Sequence, residues 1–595
     1  MHQENYAKGI TWDMAEISFP LQSGNWEETM EAAEKMALLL VDSLKGKFFG
    51  EKIDPRLILA AIKEYEFINE LCRGPYLNAF LYKSSNVLDE KRNALFNTIK
   101  ERTEQIYDIL MPLELEFRSL SDRALKELAE CPELKAYRYM ILRQIRYKRH
   151  VLSESEEMSL KSKNISNRLG PISRFVELTA NLSFIRKIRG NDVNISISEA
   201  LRLLSSPERT VRESVFKGFM GSLEKHGDTF QDVLNILIQE KNDKSDFRGY
   251  PSSFHMSIDR NDIEPTLVDS MIEFVEKKYS LVSRYYSFKS RLMGIDDFKI
   301  FDISVPIKEN PSFFTFREAR QIILETLDEF HPDFGSAARD IFSGRLVDAE
   351  VREGKQNGAF CKCYTPSQLP YISLKYTGSI RSVFELAHEI GHGIQYVLSA
   401  GKSYLNFRPL PVVSETASTF VETLVSKNIL KNVQFRKVRD EILSSVIESI
   451  ILTVFRQNLI TVFEKSIYGI RKRKALDAKE LGKIWLQENR RLYSDAVELL
   501  PEYKWGWAYI PHIIHHSFYC YSYVLGSLVS FFLIREYEKK KSFAEDVVSF
   551  FESGSTESPV NLLKSIGVDM ERSESCGAFF EYFEELINSL DGFNK

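Results

Sequence analysis

His388-Glu389-Ile390-Gly391-His392 is the stretch on which the reading of this chain turns. On an α-helix, positions four apart share a face, so both imidazoles can reach one metal ion while Glu389 points toward the adjacent coordination place. Zinc takes such neutral nitrogen donors at about 2 Å, adds a third protein ligand and keeps one place for water. Water held there is acidified to a pKa of about 7, and Glu389 is placed to take its proton. That is the chemistry of metal-assisted peptide hydrolysis. A chain of this length contains the pattern by accident on the order of 0.01 times. The bland alternative is a pair of part-buried histidines on an amphipathic helix, satisfied by carbonyls or carboxylates.

The flanks predict a helix. Val383, Phe384, Ala387, Ile390, Ile394 and Val397 follow the three-and-four spacing of a buried stripe, leaving the histidines on the neighbouring face. Ser382-Val383-Phe384-Glu385 has the form of a capping box, which gives Glu385 a local role ahead of any role in supporting a metal. A third ligand is expected on another element. After the breaker run Pro409-Leu410-Pro411, the segment from Ser414 to Glu422 predicts a new helix with Glu415 in its first turn and Glu422 two turns on along the same face. From pattern alone Glu415 serves either the helix dipole or a metal.

A His-Glu-x-Gly-His run followed by Glu415-x-x-Ser418-x-x-x-Glu422 resembles the thimet oligopeptidase class of metallopeptidases, in particular its oligoendopeptidase F branch. The likeness spans nearly the whole chain. Thr11-Trp12-Asp13 is similar to that branch's opening, Arg248-Gly249-Tyr250-Pro251 to a helix-end turn, and Gly358-Ala359-Phe360 with Pro370 to Leu374 to the edge strand ahead of the metal helix. Ser553 to Pro559 and Gly567-Val568-Asp569 resemble its C-terminal signature. The resemblance implies that His388, His392 and Glu415 are zinc ligands and Glu389 the base. It further implies that His512 and the tyrosines Tyr519 and Tyr521, within a register step, donate to the substrate carbonyl or the developing oxyanion. A phenol or imidazole aimed there shares charge with the metal; otherwise this aromatic run reads as a core helix. His515 and His516 read as surface or supporting groups. Two departures concern tuning: Gln395 stands where many members carry histidine, and Ser382 and Glu385 replace residues common before the motif.

Composition fits a soluble enzyme. The 595 residues are ample for a large core and too many for one simple unit. A formal net charge of -5 leaves no footprint for nucleic acid or an anionic membrane, and Arg471-Lys472-Arg473-Lys474 reads as a solvated helix face. Six cysteines scattered over such a length make no disulfide framework and favour a reducing cytoplasm. Cys361-Lys362-Cys363 is too tightly spaced for a zinc pair and reads as strand packing. Met1 to Asn5 lacks the basic start and apolar core of a leader, and no unbroken apolar run approaches the roughly 20 residues of a membrane span.

Helical periodicity dominates, over Trp26 to Leu44, Ala94 to Leu110, Glu208 to Lys241, Leu267 to Arg291, Phe314 to Phe330 and Val438 to Tyr468. Tyr371 to Tyr376 is the clearest strand, and its edge could accept an extended peptide. The expectation is a mainly α, large helical zincin-type metallopeptidase with a small β-sheet beside the metal helix and a deep enclosed channel. A helical N-terminal domain covers 1–200 and a catalytic domain 201–595, with Ser205-Ser206-Pro207 as a breaker near the junction. The expected function is zinc-dependent internal cleavage of short unstructured peptides in the cytoplasm, without nucleic acid or membrane. Oligomeric state stays open, a monomer included. The alternatives are an exopeptidase on the same scaffold and an inactive peptide-binding protein.

Overall fold

The computed structural model describes residues 5–48, 53–163, 168–188, 190–308, 312–432, 435, 438–568 and 573–591. Met1 to Glu4 and Asp569 lie outside them, and nothing is described for the side chain of Cys576. By contacts, the chain forms two compact units that each draw on separate stretches of sequence. The division near residue 200 is a linear one; contacts assemble Met1–Glu154, Phe313–Ile429 and Val529–Asp569 into one unit, and Ser155–Ser312, Leu430–Leu528 and Met570–Lys595 into the other.

In the first unit the helices Asn25–Leu44, Pro55–Ser85 and Glu90–Ser119 pack on one another through small and branched side chains such as Met30, Ala33, Ala37, Ile68 and Ile99, none of them exposed. Asp54 and Asp89 cap the second and third with their carboxylates, as short acceptors at a helix start should. A three-stranded sheet follows: Tyr371–Ser373 is its centre, parallel to Val347–Asp348 on one side and antiparallel to Phe360–Lys362 on the other. The strand at Tyr371 is therefore shorter than expected and is not an edge, because Val347–Asp348 takes the pairing side that sequence reading left open. Trp12 explains the opening motif. Its indole N–H donates to the carbonyls of Leu346 and Ile372, tying the chain start to this sheet, while Asp13 caps the next helix.

In the second unit, Arg209–Lys225 and Gly227–Phe247 replace the single helix expected over Glu208 to Lys241. The second helix starts on a glycine held against a distant ring: a Cβ on Gly227 would lie 2.2 Å from the Trp505 ring, so no larger residue fits there. Pro265–Glu276 and Tyr279–Met293 likewise divide the expected Leu267 to Arg291 helix. The Arg248 to Pro251 turn ends the Gly227–Phe247 helix with Gly249 at a φ of 70° and Tyr250 N–H donating to Ser245 O. A hairpin pairs Ser183–Ile188 with Asn191–Ser196. Among the described residues one stretch, Arg439–Arg471, is long and apolar enough to cross a membrane by length and composition. It also contains a π-helical turn, Ile451–Phe455, and buries Ile447, Val454, Phe455 and Phe463 in the core of this unit.

Candidate metal centre

The helix Ile380–Ser399 carries the five-residue motif. Ser379 is its cap, accepting from Ser382 N–H, so the box expected at Ser382 to Glu385 starts one turn too late. Ser382 is instead buried in a hydroxyl cluster with Thr377 and Ser379. The second helix, Pro411–Lys431, begins at the proline itself, which places Glu415 one turn further in than expected and away from any capping role.

What brings the two helices together is Gly391. A Cβ there would stand 2.6 Å from Ala417 O and 2.7 Å from Ser418 Cα, so the helices touch backbone to backbone at the centre of the motif. That close approach sets Glu415 against both rings: its Oε2 lies 3.6 Å from His388 Nε2 and 3.8 Å from His392 Nε2. One donor atom from each of the three residues falls within 4.8 Å of the others. Four ligands about 2.1 Å from a tetrahedral ion lie about 3.4 Å apart, so this spacing fits a small divalent cation.

The outer faces of the rings are held as well. Glu422 Oε2 is 3.1 Å from His388 Nδ1, and Ser414 Oγ is 3.1 Å from His392 Nδ1. Each contact turns Nε2 toward Glu415, the arrangement in which a partner on one nitrogen fixes the other for a metal. In the sequence Glu422 closes the run that resembles the family motif and shares a helix face with Glu415, and the i+7 spacing between them is the signal that carries its position.

Glu389 is buried, and its Oε2 has no hydrogen-bond partner among the described residues. An orphaned carboxylate oxygen beside such a cluster is costly unless something polar occupies the space before it. Burial, with Glu385 and Glu415 nearby, pushes its carboxyl up to about 8, though His388 pulls the other way. His392 is held far below the ordinary range by burial and by His388, so it is a neutral donor. Burial opposes protonation of His388 too, yet the hydrogen bond and charge of Glu422 with Glu389 and Glu415 hold it up to about 9. A cation at the site has to displace that proton, because only the neutral ring ligates.

Cys361 lies in the Phe360–Lys362 strand and, with Cys363, is buried and free, as the packing reading expects. His512, Tyr519 and Tyr521 belong to the second unit. Tyr521 is fully buried, and its hydroxyl accepts from Asn261 Nδ2 at 2.6 Å. His512 Nε2 is 3.4 Å from the hydroxyl of Tyr523, one register step beyond Tyr521, and Tyr523 packs edge-on against Tyr519. Burial keeps His512 below its usual range, with His515 and Arg456 adding to it. The turn before Tyr519 is strained at Phe518, φ 59°, and is clamped by Glu464, which accepts from Phe518 N–H, and by Lys241, which donates to Ser517 O. His516 is exposed and His515 packs on Phe175.

A helical fold with two imidazoles, a carboxylate and a spare buried acid on abutting helices defines a class of metal-dependent hydrolase. The model of peptidase family M3 matches residues 202–580, and that of oligopeptidase F matches residues 116–184. The chain belongs to peptidase family M3, and it is a metalloendopeptidase. Oligopeptidase PepF of Bacillus subtilis is 26% identical over 512 residues, covering 85% of this chain and 75% of that protein. An oligoendopeptidase F homolog of Lactococcus lactis subsp. lactis is 24% identical over 599 residues, covering 98% and 97%. In fold, the oligoendopeptidase-F of Enterococcus faecium matches with a TM-score of 0.73 at 22% identity over 97% of this chain and 99% of that one. PZ peptidase A, solved with an inhibitor, matches at 0.74 with 15% identity over 94% and 97%.

Proposed function

We propose that this chain is a cytoplasmic zinc endopeptidase for short, unstructured oligopeptides, with His388, His392 and Glu415 holding the ion and Glu389 as the base. The convergence of three donor atoms beside the unpartnered Glu389 Oε2 carries the reading. A divalent cation held there would polarise a peptide carbonyl and lower the pKa of water. Glu389 Oε2 takes the proton from the attacking water and returns it to the leaving amine, a task suited to a buried carboxylate with a raised affinity for protons. Glu422 and Ser414 keep the two imidazoles oriented. His512, with Tyr519 or Tyr521, is assigned to the substrate carbonyl on the family resemblance.

Because Tyr371–Ser373 is central, a peptide adding to the sheet pairs instead along an outer strand, and Phe360–Lys362 is the longer of the two. Main-chain pairing of that kind reads little sequence, so broad specificity follows. The size limit rests on the enclosed channel that the resemblance implies.

Metal analysis together with hydrolysis of a mixed peptide library, with and without a chelator, tests the reading. End-blocked peptides should still be cut, and large folded proteins should not. Glu389→Gln should keep its zinc and its fold and lose several orders of magnitude in turnover; near-normal turnover removes Glu389 from the chemistry.

A further inference from the structure

Beside the candidate metal centre, in the same unit, two arginines lie over one tyrosine and a lysine stands nearby on the adjoining strand. The Arg73 guanidinium stands 5.4 Å from the Tyr364 ring centroid and also lies over Tyr76 at 5.3 Å and Tyr107 at 5.1 Å. Arg408, exposed at its loop, lies over Tyr364 at 5.4 Å. Lys362 is two residues from Tyr364 along the chain, on the longer of the sheet's two outer strands. Among the described residues, none of the three forms an ion pair; the Arg73 guanidinium hydrogen-bonds to Tyr404, but its Nε is buried with no hydrogen-bond partner. Glu104 acts on Tyr76 and Tyr107 without pairing with Arg73.

Three positive charges without a paired carboxylate are a costly arrangement. Aromatic faces offset part of the cost by cation–π attraction, but they do not satisfy N–H donors or neutralise charge. An anion entering the group does both, and the planar fork of arginine suits a carboxylate. The location is as informative as the charge. Lys362, held below its ordinary range first by burial and then by Arg408, also feels the carboxylate of Glu389. Lys362 thus stands within electrostatic reach of both the proposed base and Arg408, on a strand along which a peptide would pair.

The geometry points to Arg73, Lys362 and Arg408 as a specificity site that takes a carboxylate of the peptide substrate, either an acidic side chain or the free C-terminus. This rests on the peptidase reading above and adds the substrate class. Tyr364 is the floor that holds the two guanidinium groups apart and oriented, while Arg408, being exposed, is the group that meets an incoming peptide.

The test compares peptide pairs differing only in acid against amide: glutamate against glutamine scanned through end-blocked peptides, and free against amidated C-termini. Wild-type protein should favour the acid by roughly tenfold or more in one series, with the preference shrinking as salt rises. That series names the source of the carboxylate. Arg408→Gln should bring the ratio toward one, and Arg408→Glu should invert it toward lysine at the same position, an outcome that a merely structural role does not produce. Cleavage of every peptide with no acid preference anywhere overturns the site and leaves the peptidase reading standing. Should nothing be cut, fluorescence anisotropy of the same labelled pairs still decides: tighter binding of the acid, lost in Arg408→Gln, supports the site, and equal binding overturns it.

Discussion

Gly391→Ala is the substitution that asks most of the structure. The added Cβ would sit 2.6 Å from Ala417 O and 2.7 Å from Ser418 Cα, against ordinary contacts of roughly 3.5 Å, and both atoms are backbone that no rotamer change can move. The helices must part by about 0.8 Å. Alanine returns about 1 kcal/mol in helix propensity, while overpacking costs about 1–3 kcal/mol, so the net loss of stability is small. The larger effect is local. Glu415 lies two residues before Ala417 on the helix that is pushed away, and its carboxylate is carried off rings it approaches at 3.6 and 3.8 Å. Metal–ligand distances tolerate only about 0.2 Å, so zinc affinity should fall about 10- to 100-fold, and turnover at saturating zinc about 100-fold. Two controls share the assay. Gly393→Ala meets the end of a flexible side chain, Ile341 Cδ1 at 2.7 Å, and Gly401→Ala meets nothing within 4 Å. Competition with a chromophoric chelator and kcat/KM on one peptide should rank Gly391→Ala well below Gly393→Ala, with Gly401→Ala near wild type. Zinc affinity within twofold of wild type in folded Gly391→Ala refutes the argument that this backbone contact positions Glu415.

Glu422→Gln keeps the shape beside His388 Nδ1 but removes the charge that holds the ring; zinc affinity should fall at least about tenfold, and an unchanged chelator titration removes Glu422 from the site. Gln395, on the motif helix, is buried with both amide atoms unpartnered among the described residues. Gln395→Leu should therefore gain about 1 kcal/mol or more, and a lower Tm would show that the amide is bonded in solution. Burial holds the Lys355 ammonium down to about 8, although its partner Asp348 works the other way, whereas the ordinary value is 10.5. Between those values the unfolded chain binds more protons, so this lysine makes stability rise with pH, by up to roughly 3 kcal/mol in all. Urea midpoints from pH 7.5 to 10 should show that rise in the wild type and less of it in Lys355→Met; parallel curves contradict it.

Local rules carried a good part of this protein. Helical spacing placed His388 and His392 on one face, because the four-residue period is a property of the backbone alone. The helices around Trp26 and Phe314 followed from the same periodicity. Interrupted helices did not: the chain breaks at His226, beside a glycine packed so closely on Trp505, far along the chain, that no Cβ fits there. The strand at Tyr371 was visible as a strand, but whether a strand is central or an edge depends on a partner more than twenty residues away, here Val347.

The site divides along the same line. Spacing supplied the imidazoles and Glu389, and the family motif pointed to Glu415, which pattern alone left between helix dipole and metal. Only tertiary structure showed that Gly391 lets two helices meet at backbone contact, that Glu422 and Ser414 orient the rings, and that Tyr523 stands beside His512. The reason is range. A sequence period reports the face a residue occupies on its own element, whereas ligand geometry depends on the distance between elements, which packing fixes through atoms that carry no pattern.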